Sequence, residues 1–200
     1  MTLLLRLPLF LSLGFMVPAM AHEGHVVATE TAQPILGESV YNLKSQWTSQ
    51  DGKVIQLQDL EGKPVVLAMA YTSCEAACPL IVEDMRKISK GMSAADQKRF
   101  SFFLFSFDSQ LDTPARLKEY AKKRKLDLAH WQLFHGEPGA VRELAAVLGV
   151  RYKKDPKTND FDHSNVITLL DGKGLIQYQQ NGLGEDPKAL LAKAKALSSK

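Results

Sequence analysis

The sequence predicts an α/β fold in which a central mixed sheet is flanked by helices. Two apolar runs of strand length, residues 64–71 and 100–107, have the continuous hydrophobicity of strands that are buried on both faces. A helical segment follows each run, and strands that alternate with helices form a sheet with parallel strands, covered on both sides.

A β-hairpin is predicted ahead of the first central strand, within residues 39–60. Val40 and Trp47 lie on its first arm, a turn follows at residues 49–52, and apolar and polar residues alternate over residues 54–57. The predicted architecture therefore carries an N-terminal β-hairpin extension.

The later elements continue the alternation of strands and helices. Pro79 and Pro114 each stand in the first turn of a predicted helix, where the missing N–H of proline costs nothing. Either Asp112 or Thr113 caps the second of these helices. The predicted segments are a helix to Gly91, a helix over 114–125, a strand at 131–134, a helix over 139–148, a polar loop at 153–160, a hairpin of strands at 165–170 and 175–179, and a helix over 186–197.

The only two cysteines lie in the turn between the first central strand and its helix. Cys74 and Cys78 are four residues apart, so both sulfur atoms can face one point at the helix N-terminus, where the backbone dipole favours anions. Such settings lower the pKa of a cysteine from about 8.5 to between roughly 3.5 and 7.5. Because a thiolate is both a nucleophile and a metal ligand, this stretch indicates redox chemistry, metal binding, or both. A cysteine pair on this turn, with a hairpin and a helix closing the chain, is the order of a thioredoxin-like fold.

The N-terminus predicts export to the periplasm. Residues 1–21 have the pattern of a signal peptide, since they are nearly all apolar, carry Arg6 as their single charge, and end in a small-x-small site at Ala21. The alternative is an uncleaved leader that anchors the protein to the membrane. Residues 22–38 predict a mobile tail, and residues 39–200 predict one domain. In an oxidising compartment a cysteine pair can persist as a disulfide.

Charge and missing motifs argue against nucleic-acid binding and nucleotide binding. The chain has 25 Lys and Arg against 22 Asp and Glu, and removal of the leader takes away Arg6 alone, which leaves 24 against 22 and a formal charge of +2. A nearly neutral chain lacks the electrostatic footprint of a nucleic-acid-binding protein. The sequence contains neither a Walker A pattern nor Gly-x-Gly-x-x-Gly, so nucleotide binding has no support.

Three groups of residues together resemble the Sco/SenC family of copper chaperones. They are YTSCEAACP at residues 71–79, FD at 107–108 with DTP at 112–114, and DHS at 162–164 before the late hairpin. The resemblance covers about residues 39–197 and implies a thioredoxin-like fold with copper as the bound metal. It implies Cys74, Cys78 and His163 as the copper ligands. It also places Asp108 and Asp162 near them.

The same resemblance implies a function and partners. We expect an exported metallochaperone that delivers copper to a cuproenzyme, above all to the binuclear copper centre of a respiratory cytochrome c oxidase. The expected partners are a copper-receiving protein, such as an oxidase subunit, and a thiol reductant. Neither nucleic acid nor a stable membrane span after cleavage is expected.

Other functions of the cysteine pair remain open at this point. Cys74 and Cys78 would also serve a thiol–disulfide reductase that keeps the copper-ligating cysteines of a partner reduced, and such an enzyme would not need His163. A third hypothesis is that the protein consumes peroxide or senses redox state. A purely structural disulfide is disfavoured, because closing a ring of some five residues would contribute only about 2 kcal/mol.

The four remaining histidines lie apart from these motifs. After cleavage, the α-amine of His22 and the imidazole of His25 could hold Cu(II) in a nitrogen-rich tetragonal site, or they could form an ordinary polar terminus. His130 and His135 flank a predicted strand, and we expect surface or structural roles for both.

Overall fold

The computed structural model describes residues 38–198, and a mixed sheet of seven strands forms their centre. The strands, in chain order, are β1 (Gln46–Ser49), β2 (Val54–Gln56), β3 (Val65–Ala70), β4 (Ser101–Ser106), β5 (Trp131–Gly136), β6 (Tyr152–Lys154), β7 (Phe161–His163), β8 (Val166–Leu170) and β9 (Ile176–Asn181). The order across the sheet is β2-β1-β5-β4-β3-β8-β9, in which β3, β4 and β5 run parallel and the other pairs antiparallel. β6 and β7 pair with each other as a separate two-stranded ribbon.

Five α-helices in this part of the chain flank the sheet, and the sequence predicts four of them. They are α1 (Ala77–Gly91), α2 (Ala94–Arg99), α3 (Pro114–Lys123), α4 (Pro138–Val147) and α5 (Lys188–Ser198), with short 3₁₀ helices at Val40–Asn42 and Leu57–Leu60. α1 packs against β3 and α5, whereas α3 and α4 pack against β5. Within residues 38–198, no helix has the length and apolar character needed to cross a membrane.

The two apolar runs form the buried centre of the sheet. Every residue of β3 is buried, and so is every residue of β4 after Ser101. The parallel register pairs Val65 with Ser101 and Ala70 with Ser106, so both strands end at the same edge. The loops that follow Ala70 and Ser106 therefore meet at the carboxyl edge, where open α/β sheets place their functional sites.

The predicted N-terminal hairpin is present as β1 and β2, and it extends the sheet by two strands. β1 pairs antiparallel with β5, and Trp47 lies opposite Gly136. The Trp47 ring covers Gly136 so closely that a Cβ atom at residue 136 would lie 2.6 Å from it. Glycine at this position therefore allows the hairpin to dock, and Trp47 is completely buried as a result.

The sequence prediction omits α2 and the ribbon. α2 buries none of its residues, so it lacks apolar periodicity. Its N-cap is Ser93, whose hydroxyl accepts a hydrogen bond from the Asp96 amide. Part of the predicted polar loop at 153–160 belongs to β6. Residues 161–163, predicted as the approach to the strand at 165–170, form β7 instead, and Tyr152 pairs with His163.

The predicted leader and tail lie almost wholly outside the described residues. The signal peptide is predicted over residues 1–21 and the tail over residues 22–38, of which only the last residue is described. His22 and His25 fall in the same part of the chain. Their predicted roles stay predictions.

Candidate metal centre

The two cysteines lie at the carboxyl edge of the sheet. α1 begins at Ala77, so Cys78 lies in its first turn, and Cys74 lies in the segment between β3 and α1, which we call the cysteine loop (residues 71–76). Cys78 is completely buried, and Cys74 is 5% exposed. Both are free thiols, which is the redox state that can bind a metal.

Hydrogen bonds connect both sulfur atoms to the backbone of the cysteine loop and of α1. The Cys78 amide donates to Cys74 Sγ at 3.2 Å, and the Tyr71 amide donates to Cys78 Sγ at 3.5 Å. Hydrogen bonding from the Cys78 thiol, opposed by burial and supported by amides at the helix start, lowers the pKa of Cys74 to about 4. The same bond, together with burial, raises the pKa of Cys78 well above its ordinary value. At neutral pH the pair therefore holds one proton, carried by Cys78.

His163, the last residue of β7, brings an imidazole to the two thiols. The ligand atoms of Cys74, Cys78 and His163 all lie within 4.8 Å of one another. His163 Nδ1 lies 3.2 Å from the carbonyl oxygen of Ser164, so the tautomer with its proton on Nδ1 donates there and leaves Nε2 free to bind a metal. In residues 38–198 this is the one cluster of three or more such side chains. The structure thus brings together all three predicted ligands.

The site opens to solvent on one side. Cys74 and His163 line a cleft of about 420 Å³ between the cysteine loop and the ribbon, and the other lining residues come from positions 71–77 and 160–163. Cys78 lies beneath this cleft and does not line it. A partner protein can therefore reach the site through Cys74 and His163.

Two aromatic rings pack against the His163 imidazole. The Phe107 ring centroid lies 5.0 Å from that of His163, and the Tyr71 ring approaches edge-on at 6.1 Å. Phe107 also packs against Tyr152 and Phe161 of the ribbon. These contacts partly bury the inner face of the ribbon and orient the imidazole towards the cysteines.

The two aspartates that the sequence places near the site occupy different positions. Asp108 is buried, and its Oδ1 atom accepts hydrogen bonds from two amides of the loop that follows. Lys154 of the ribbon approaches the same oxygen to 3.9 Å. Asp162 is exposed in β7, and because side chains alternate along a strand it lies on the opposite face of the ribbon from His163. Asp108 is thus linked to the ribbon through Lys154. Asp162 does not line the cleft.

Asp112 supports the cysteine loop, a role that its sequence context does not reveal. Its carboxylate is completely buried and accepts hydrogen bonds from the Thr72 amide (2.9 Å), the Thr72 hydroxyl (2.5 Å) and the Ser106 hydroxyl (2.5 Å). Thr113 is the N-cap of α3, since its hydroxyl accepts a hydrogen bond from the Arg116 amide in the first turn. Of the two caps that the sequence allows, the structure uses Thr113 and leaves Asp112 to fix the loop just before Cys74.

The remaining described histidines do not join the site. His130 accepts a hydrogen bond from the Phe102 amide through its carbonyl oxygen, and His135 lies in β5 opposite Thr48. Neither lines the cleft that contains Cys74. Their positions agree with the predicted structural roles.

Two thiolates and one imidazole form a donor set with defined chemical preferences. Thiolates are soft ligands that favour Cu(I), and an imidazole allows the same site to accept Cu(II). Structural zinc sites take four protein ligands, whereas the cluster found in residues 38–198 offers three. The site therefore suits a metal whose coordination another protein can complete.

Comparisons with known proteins agree with this fold. The family model for SCO1/SenC matches residues 37–199. An SCO1 protein homolog of Bacillus subtilis (strain 168) is 26% identical over 145 residues, which are 70% of this chain and 72% of the relative.

Two solved structures extend the comparison. Bradyrhizobium japonicum ScoI with copper bound is 28% identical, with a TM-score of 0.64 over 76% of this chain and 96% of that chain. A SCO1/SenC family lipoprotein from Bacillus anthracis is 26% identical, with a TM-score of 0.70 over 82% of this chain and 99% of that chain. The predicted thioredoxin-like fold is thereby confirmed. Because the family match spans all of the described residues, this chain belongs to the SCO1/SenC family.

Proposed function

We propose that this protein is an exported copper-binding metallochaperone. In this proposal it works in the periplasm and delivers copper to a cuproenzyme, above all to the binuclear copper centre of a respiratory cytochrome c oxidase. The observation that carries the proposal is the convergence of Cys74, Cys78 and His163 from two separate segments, with their ligand atoms within 4.8 Å of one another. This donor set matches the preferences of copper.

Two features of the comparisons and the sequence support the proposal. A relative that is 28% identical holds copper in its solved structure, and another that is 26% identical is a lipoprotein. The first supports copper as the cargo. The second, together with the predicted signal peptide at residues 1–21, supports a protein that acts outside the cytoplasm.

The arrangement of the ligands also suits transfer. His163 and Cys74 face the cleft, whereas Cys78 is buried beneath it. A thiolate of the recipient can therefore reach the metal from the cleft and replace His163 first, and the buried Cys78 releases the metal last. Copper then moves by ligand exchange and is never free in solution.

Anaerobic titration of the reduced protein with Cu(I), against a competing chelator, tests the proposal. The parent should bind one copper per chain. Cys74→Ser, Cys78→Ser and His163→Ala should each weaken binding by more than the roughly 10- to 100-fold that loss of a supporting contact costs. His135→Ala is the matched control, because this histidine lies in β5 away from the cleft and should leave the affinity unchanged. If His163→Ala bound copper as tightly as the parent, the assignment of His163 would be wrong.

A second candidate function rests on the low pKa of Cys74. A thiolate at neutral pH beside a second free thiol can reduce a disulfide of a partner, such as the pair that ligates copper in a recipient. Cys74 would attack one partner sulfur and release the other as a thiolate. Cys78 would then lose its proton, attack Cys74 and release the second partner thiolate, which leaves a Cys74–Cys78 disulfide. A thiol reductant would restore the free thiols.

A disulfide-exchange assay with a thiol reductant separates the two functions. Reductase turnover needs both cysteines and no imidazole, so His163→Ala should retain it while losing copper affinity. Loss of both activities in His163→Ala would instead show that the histidine supports the thiol chemistry itself.

A further inference from the structure

Tyr71 is the residue that contacts both halves of the metal centre. Its amide donates to Cys78 Sγ at 3.5 Å, and its hydroxyl accepts a hydrogen bond from the Phe161 amide at 3.2 Å. Its ring meets the Phe161 ring edge-on at 5.0 Å between centroids, and the His163 ring at 6.1 Å. The side chain is 5% exposed. One residue thus joins the cysteine loop to the strand that carries the third ligand.

The ribbon depends on such contacts, because it is not part of the central sheet. β6 and β7 pair only with each other among the strands of residues 38–198. Phe161 and His163 lie two positions apart in β7, so their side chains share one face, which the alternation of a strand directs towards the cysteines. A hydrogen bond at the Phe161 amide therefore acts close to the imidazole and along the strand that bears it.

We propose that the Tyr71 hydroxyl is the positioning group that fixes His163 against the cysteine pair and thereby sets the rate at which bound copper is released. This inference rests on the proposed function, since it concerns copper held by Cys74, Cys78 and His163. Tyr71 itself is not a ligand in this proposal. It acts through the ribbon.

The chemistry of the phenol suits a permanent attachment. Burial is the main cause that raises the pKa of Tyr71 to about 12. The hydrogen bond from the Phe161 amide opposes this rise, and the Cys74 side chain adds to it through its charge and a hydrogen bond, so the hydroxyl keeps its proton at any physiological pH. It can accept from the Phe161 amide and donate towards Asp160 Oδ1, 3.5 Å away, at the same time. Both partners lie in the segment that leads into His163.

The variant Tyr71→Phe removes the hydroxyl and keeps the ring contacts. Copper dissociation into an excess of chelator, followed anaerobically, should become about fivefold faster, which corresponds to the net loss of one hydrogen bond. Tyr41→Phe is the matched control, because Tyr41 is equally buried and its hydroxyl has no hydrogen-bond partner among the described residues. The control should release copper at the parent rate.

A double-mutant cycle with His163→Ala distinguishes positioning from general support of the fold. If Tyr71 acts through His163, Tyr71→Phe should have no further effect in the His163→Ala background. An undiminished effect there would overturn the proposal, and so would an unchanged rate in the single variant. If the parent bound no copper, the proposed function and the role of Tyr71 would both be wrong. If the parent bound copper and Tyr71→Phe released it at the parent rate, only the role of Tyr71 would be wrong.

Amide exchange in the apo protein gives a readout that needs no copper. Tyr71→Phe should raise the exchange rates of the amides of residues 161–163 about fivefold, through the same lost hydrogen bond, and leave those of β3 unchanged. Equal acceleration in β3 would mean that the variant loosens the whole protein, and this would contradict a positioning role.

Discussion

The cysteine loop and the ribbon supply ligands to one site, yet they are attached to the protein in different ways. The loop follows the fully buried strand β3, and the buried carboxylate of Asp112 binds its Thr72 through two hydrogen bonds. Among the strands of residues 38–198 the ribbon pairs only with itself, and it has no fully buried residue. The main chain around the thiolates is therefore fixed by the core, whereas the imidazole is carried by an element held through a few side-chain contacts.

Under the proposed function, this difference corresponds to the two requirements of a copper carrier. A rigid pair of thiolates retains the soft metal ion, and a ligand on a weakly attached element can leave when a partner offers its own. Local opening has the lowest free energy where few apolar groups are buried. Variants in the cysteine loop and variants in the ribbon can each test this difference in attachment.

The largest expected effect is on the loop, in the variant Asp112→Ala. Removal of the carboxylate leaves the Thr72 amide and the hydroxyls of Thr72 and Ser106 without their acceptor in a completely buried position. At about 1 kcal/mol for each unsatisfied donor, the free energy of unfolding should fall by roughly 2–4 kcal/mol. Chemical denaturation of the reduced apo protein measures this change.

Asp162→Ala provides the matched control on the ribbon. Asp162 is exposed, so its removal should change the free energy of unfolding by less than about 0.5 kcal/mol. Equal destabilisation by both variants would contradict the proposed difference between loop and ribbon.

The second prediction concerns the proton held by the cysteine pair. Because the pKa of Cys74 is about 4 and that of Cys78 is raised, Cu(I) binding at neutral pH should release one proton, from Cys78. Raising the pH removes the competing proton, so the affinity should increase about tenfold per pH unit, or roughly 1.4 kcal/mol, between about pH 7 and 9. A pH indicator in weakly buffered solution counts the protons during anaerobic titration.

The source of the proton can be checked with the ligand on the ribbon. His163→Ala should still release one proton for each copper that it binds at high protein concentration, because the proton comes from the loop. A release of two protons would show that neither cysteine is a thiolate beforehand, and a release of none would show that both are.

The sequence was sufficient to predict the loop, because its signals are local. An apolar strand, two cysteines and Pro79 in a first helical turn define a strand, a turn and a helix N-terminus within twenty residues. The role of Asp112 could not be predicted, since both Asp112 and Thr113 suit a helix cap and the choice depends on Thr72, forty residues away in sequence. Tyr71 lies at the end of the apolar run, and only its tertiary contacts reveal its position beside the ribbon.

The ribbon was harder to predict for a physical reason. Its strands are three residues long and half-exposed, so they lack the continuous apolar pattern of β3 and resemble a polar loop. His163 was identified through its resemblance to a family motif, because no local pattern relates it to cysteines some ninety residues earlier. The structure supplies the missing relation in the form of an antiparallel ribbon whose inner face carries the imidazole.

The smallest predicted effect lies on the ribbon, at Lys154. Its ammonium group contacts Gln110 Oε1 at 3.1 Å, lies 3.9 Å from Asp108 Oδ1, and stands 5.4 Å from the centroid of the Phe161 ring. Lys154→Met keeps the aliphatic stem and removes the charge. For a partly exposed ion pair we expect a loss of about 0.5 kcal/mol, seen as roughly twofold faster amide exchange in β6 and β7.

Lys153→Met is the control for Lys154→Met, since Lys153 is exposed and the alternation of β6 places it on the other face. It should leave amide exchange in the ribbon unchanged. If Lys154→Met instead lowered the free energy of unfolding of the whole protein by several kcal/mol, the ribbon would be as firmly integrated as the cysteine loop. The distinction between a fixed pair of thiolates and a releasable imidazole would then be wrong, because copper transfer would have to begin at the cysteines.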